Sequence, residues 1–64
     1  MSREFKFFIY LLERYAEHHG ITADVMYAKL SEKNLIDYTI KMYELYHVEA
    51  IENAFADLDN KLSA

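Results

Sequence analysis

No proline and a single glycine, Gly20, stand in these 64 residues, so almost nothing in the chain interrupts a helix. Apolar residues recur at helical spacing nearly throughout, which predicts an all-α fold, a compact bundle of about four short helices. No linker, repeat or low-complexity stretch divides it, so residues 1–64 are read as a single helical domain. With 53% hydrophobic residues the chain has the apolar material that disordered sequences lack. A core this small rarely supplies more than roughly 3–5 kcal/mol. Cysteine is absent, which excludes a disulfide framework and a thiolate zinc site and leaves regular helix packing or association as the stabilising device.

Ser2 is placed to cap the first helix, with Glu4 in its opening turn and Phe5, Phe8, Ile9, Leu12, Tyr15 and Ala16 as its core stripe. Gly20 ends it at a left-handed position, with Ile21 folding back onto the last turn. Thr22 caps a second helix whose inner side is Ala23, Met26, Tyr27 and Leu30. Asn34 marks the next break and is expected to cap a third helix, about Leu35 to Tyr46. Polar residues occupy a thin strip of that third helix, so it is expected to be central or to share a face with a partner. Val48, Ile51, Ala54, Phe55, Leu58 and Leu62 make the stripe of a fourth.

The longest apolar run, Phe7 to Leu12, is far too short to span a membrane, and no small-residue cleavage site follows it. A cytoplasmic protein without membrane contact is therefore expected. The net charge of −4 is unevenly spread: six bases balance six acids up to Tyr43, and beyond it five acids face Lys61 alone. Such a field repels phosphate backbones and attracts basic surfaces, so no nucleic acid is expected and a partner with a basic surface is.

Catalytic chemistry has little to work with, since thiols are absent, the serines fall near helix ends and the carboxylates are dispersed. No enzyme activity and no cofactor are expected. His18 and His19 point about 100° apart on a helix and suit its C-terminal dipole better than one shared metal ion. A small metal-binding protein built on His18, His19 and His47 is thus the lesser reading. A helix-turn-helix-like DNA-binding subunit is another, weakened because the third helix offers base edges little beyond Lys41.

The stronger signal is surplus apolar surface. Phe7, Tyr10 and Leu11 fall beside Arg14 on what should be the polar side of helix one, and six tyrosines in the chain include Tyr38 and Tyr43 on the apolar third helix. We therefore expect a protein–protein interaction module that self-associates, most simply as a homodimer. Its contact residues are Phe7, Tyr10, Leu11, Arg14, Tyr38 and Tyr43, with Glu49, Glu52, Asp57 and Asp59 steering a basic partner.

From Leu12-Glu13-Arg14-Tyr15-Ala16 through Leu35-Ile36-Asp37-Tyr38 and Tyr43-Glu44-Leu45-Tyr46-His47 to Asp57-Leu58, the chain resembles a small bacterial family catalogued as domain of unknown function 3791. The likeness runs from about Phe7 to Asp59 and departs from the family's pattern at Val48-Glu49-Ala50. The resemblance implies no assigned activity. It implies encoded neighbours that resemble ADP-ribosyltransferase-like toxins, and hence an antitoxin-like or accessory role.

Overall fold

A computed structural model describes all 64 residues, Met1–Ala64, and contains five helical segments and no strand. Helix α1 spans Arg3–His18, α2 Ala23–Glu32, α3 Ile36–Lys41, α4 Tyr43–Tyr46 and α5 Ile51–Ser63. The all-α bundle expected from the spacing is what forms, within 24 × 22 × 21 Å.

Local chemistry sets the helix ends. The Ser2 hydroxyl accepts a hydrogen bond from the Phe5 amide at 3.1 Å, satisfying one of the free donors of the first turn of α1. At the other end Gly20 takes φ 69°. The Gly20 amide donates to the Glu17 carbonyl and the Ile21 amide to the Ala16 carbonyl, the paired bonds of a Schellman termination. The same pair recurs after α2, where Asn34 at φ 58° donates to Ser31 and Leu35 donates to Leu30. Asn34 is thus a left-handed terminator. It does not cap the following helix, because Leu35 fills that position and makes no side-chain cap.

The expected third helix is broken in two at Met42, whose ψ of 8° interrupts the α-helical path. Just upstream, the Thr39 hydroxyl donates back to the Leu35 carbonyl at 2.7 Å, a bond that bends helices. The segment is less central than its composition suggests: Thr39 and Tyr46 are buried, whereas Leu45 is exposed.

The core gathers Leu11, Tyr15 and Ala16 of α1, Met26 and Leu30 of α2, Tyr46 of α4, and Ala54, Phe55 and Leu58 of α5. Within α5 the expected stripe holds, while Val48 falls outside the helix and is exposed. On α1 the stripe is turned. Phe8, Leu11, Tyr15 and Ala16 face inward, and Phe5 and Ile9, expected in the core, are exposed. No buried side-chain polar atom lacks a hydrogen-bond partner.

Since a Cβ at Gly20 would meet nothing within 4 Å, the cost of Gly20→Ala is backbone strain alone. Urea denaturation is expected to show a loss of about 1–2 kcal/mol for Gly20→Ala, and a change under about 0.5 kcal/mol for Asn34→Gly. Equal stability of Gly20→Ala and the parent would contradict the left-handed termination.

Candidate functional site

From Phe7 to Leu12 α1 is apolar all round, and two sides of the helix carry exposed rings. On the first, Phe7 leans toward α4 and sets its ring edge-on to Tyr43 at 5.7 Å and to His47 at 6.5 Å, with Tyr10 at 6.1 Å. Tyr43 and His47, one helical turn apart, stack in parallel at 4.1 Å. The carbonyl of Tyr43 can only accept, so His47 Nδ1 carries the proton it donates across 2.5 Å. His47 therefore serves a loose backbone group at a helix junction. The Arg3 guanidinium lies over the Tyr43 ring at 5.9 Å. Three expected contact residues, Phe7, Tyr10 and Tyr43, thus form one aromatic patch with Tyr10 about half exposed, at 52%.

Leu11 does not belong to it. At 1% exposure it is a core residue, and its expected role as a surface anchor is corrected. The six consecutive apolar residues from Phe7 to Leu12 leave the phase of the helix open when apolar spacing alone is read. The phase could have been taken from Arg3, Lys6, Glu13, Arg14 and Glu17, whose common direction on a helical wheel lies opposite Phe8. Arg14, one turn beyond Tyr10 on α1, lies 3.8 Å from Glu17 and shares a cleft of about 250 Å³ with Ile51, Glu52 and Phe55. Glu49 is exposed in the turn before α5.

The second open side was missed in the sequence. Phe5, 41% exposed, packs on Phe8 at 6.1 Å, and Tyr27 of α2, 45% exposed, meets Phe8 edge-on at 6.4 Å. Ile9, one turn beyond Phe5, is also exposed.

Two of the three acids of α5 expected to steer a partner, Asp57 and Asp59, are already engaged. Tyr38 and Tyr46 both donate to Asp57 Oδ2, at 2.6 and 2.5 Å. Tyr15 donates to Asp59 Oδ1 at 2.5 Å, and His19 Nε2 lies 2.8 Å from the same oxygen. The Tyr38 hydroxyl, with that of Tyr46 beside it, holds the Asp57 carboxyl below its usual range; Lys61, stacked over Tyr38 at 5.4 Å, adds to this. The Tyr15 hydroxyl does the same for Asp59, assisted by His19. Burial, then the bonded carboxylate, pushes the Tyr15 and Tyr46 hydroxyls well above the usual tyrosine value. Asp57 and Asp59 hold the fold together, and Tyr38 belongs with them rather than with the patch.

His19, Asp59 and Ser63 line one groove, a combination that invites a hydrolytic reading. The Ser63 hydroxyl, however, donates to the Asp59 carbonyl at 2.6 Å, the bond of an ordinary helical serine. No three metal-ligating side chains of His, Cys, Asp or Glu come together, and no helix is long and apolar enough to cross a membrane.

A family model described as protein of unknown function DUF3791 matches residues 6–64. The chain belongs to this family. The DUF3791 match takes in both aspartates of α5, their three tyrosine donors and the aromatic patch, and extends the likeness read from the sequence to the last residue. Neither the curated proteins nor the solved structures provide a match.

Carboxylates whose pKa is depressed in the folded state stabilise it above their unfolded value of about 4, and that contribution is lost as pH falls below it. Tyrosines whose pKa is raised stabilise it below about 10, and theirs is lost as pH rises further. Unfolding free energy is therefore expected to fall on both sides of a neutral maximum. Asp57→Asn should flatten the acid limb, and Tyr46→Phe the alkaline one. Unchanged limbs in urea titrations of the two variants would remove these bonds from the stability of the fold.

Proposed function

We propose that this member of DUF3791 is a non-enzymatic, cytoplasmic protein-interaction module, an antitoxin-like or accessory partner of a neighbouring bacterial toxin. The observation that carries this reading is the patch of Phe7, Tyr10, Tyr43 and His47, drawn from two helices and bordered by Arg3. Aromatic rings beside an arginine are what binding hot spots are made of. Tyr10 is half exposed and Phe7 and Tyr43 are half-buried, Phe7 against the core, so the patch keeps aromatic surface open in a 64-residue domain with little core to spare.

Acidic charge supports the same reading. With Asp57 and Asp59 occupied, Glu44, Glu49 and Glu52 are the exposed acids of this segment, and Glu49 and Glu52, around the start of α5, are the ones expected to steer a basic partner. Self-association remains part of the proposal, the two open sides of α1 being the surfaces a second copy would use.

Affinity purification of the tagged chain from its host tests this directly. One protein at fixed stoichiometry is expected to accompany it, and Phe7→Ala with Tyr43→Ala to reduce that recovery at least tenfold without changing the far-ultraviolet circular dichroism. Recovery of the chain alone, or equal recovery by the folded variant, would contradict the proposal.

A further inference from the structure

The second open side of α1 has an order along the helix that the aromatic patch lacks. Phe5, Ile9 and Leu12, spaced by four and then three residues, fall in line on one side of α1, the spacing of a seam between two helices. Phe5 and Ile9 are exposed and Leu12 is half-buried, whereas Ala16, the next position in the series, is buried. The open seam therefore runs from Phe5 to Leu12 and has room for about two turns of another helix.

Lys6 and Glu13 border this seam on its outer edge, and both are exposed. They lie one above the other about 10 Å apart, too far to pair with each other, and neither joins an ion pair elsewhere in the chain. A base ahead of an acid also reverses the order that the helix dipole favours. Other exposed charges of the chain are equally unpaired. What sets these two apart is their place, with opposite signs at nearly equal distances on either side of Ile9.

Such a seam is complementary to itself. When a second copy is related by a two-fold axis at Ile9, its α1 lies antiparallel to the first and the two Ile9 side chains meet on the axis. Phe5 then comes level with Leu12 of the second copy, and Lys6 with its Glu13, each to within one residue's rise of about 1.5 Å. A parallel copy would carry its Lys6 and Glu13 to the opposite edge of the seam, where neither meets its opposite. An unrelated apolar helix would cover Phe5 and Ile9 and leave both charges unmatched. The charges thus select the occupant and its direction together.

We propose that the Phe5–Ile9–Leu12 side of α1 is the contact of a two-fold homodimer, in which two α1 helices pack antiparallel and Lys6 pairs with Glu13 twice across the axis. This rests on the self-association included in the proposed function. It assigns that association to one open side of α1 and leaves Phe7, Tyr10 and Tyr43 to a different protein. A seam this short buries less than the interface of an obligate dimer, so monomer and dimer exchange.

Sedimentation equilibrium over a wide range of concentration tests it. The parent chain is expected to pass reversibly from monomer to dimer, and Lys6→Glu or Glu13→Lys alone to weaken the dimer at least tenfold, since each sets like charges across the axis twice. Mixing the two variants is expected to restore the parent's affinity, because each chain then meets the opposite charge at both positions, a rescue that a parallel pair does not give. Both residues are exposed and both substitutions follow the helix dipole, so the variants keep their fold. A parent that stays monomeric, single variants that dimerise as the parent does, or a mixture that stays monomeric would overturn the proposal. So would a dimer lost only with Phe7→Ala and Tyr43→Ala, which would move the contact to the other side of α1 and leave self-association standing. Recovery of a host partner by a strictly monomeric chain would remove the dimer and leave the interaction module intact.

Discussion

Three tyrosine hydroxyls donated to two aspartates close this fold. Tyr15 and Tyr46 are buried to within 2% of their surface, and a buried hydroxyl without an acceptor costs more than the ring's burial can spare in so small a core. Asp57 and Asp59, two residues apart on α5, supply the acceptors and thereby draw that helix onto α1, α3 and α4 at once. The bend at Met42 fits the same demand. Tyr38 and Tyr46 would stand about 12 Å apart along a straight helix, yet both reach one oxygen of Asp57. Without cysteine, these charge-assisted bonds and the Schellman terminations at Gly20 and Asn34 do the work of a staple.

How far the sequence discloses this differs by level. Helix positions were legible because capping and termination are local: Ser2 caps α1 and Gly20 and Asn34 end α1 and α2 at positive φ, although Thr22 stands at the N-cap of α2 without a side-chain bond and Asn34 does not cap α3. The inward face of α1 was not, because an apolar run of six residues gives every direction an equal claim. Phe5 and Ile9 were consequently assigned to the core and Leu11 to the surface, the reverse of their places. Nor did charge counting show that Asp57 and Asp59 are held, since their partners lie up to 44 residues away. An acid on the border of a core stripe, in a chain rich in tyrosine, is the pattern that could have shown it.

The engagement of those acids also redistributes the surface. Part of the C-terminal negative charge is turned toward tyrosines, leaving Glu44, Glu49 and Glu52 as its exposed acids. The aromatic surplus divides into the patch around Phe7 and Tyr43 and the one around Phe5 and Tyr27, on either side of α1. In this chain α1 both supplies the core and exposes rings on two flanks, so its N-terminal helix is divided between packing and surface.

A double-mutant cycle between Tyr46→Phe and Asp57→Asn, read by urea unfolding at neutral pH, tests the closing interaction most directly. A coupling of about 1.5–3 kcal/mol is expected, the strength of a hydrogen bond to a charged group. Additive losses, with a coupling below about 0.5 kcal/mol, would mean that α5 is held by apolar packing and that the tyrosine–aspartate bonds merely accompany it.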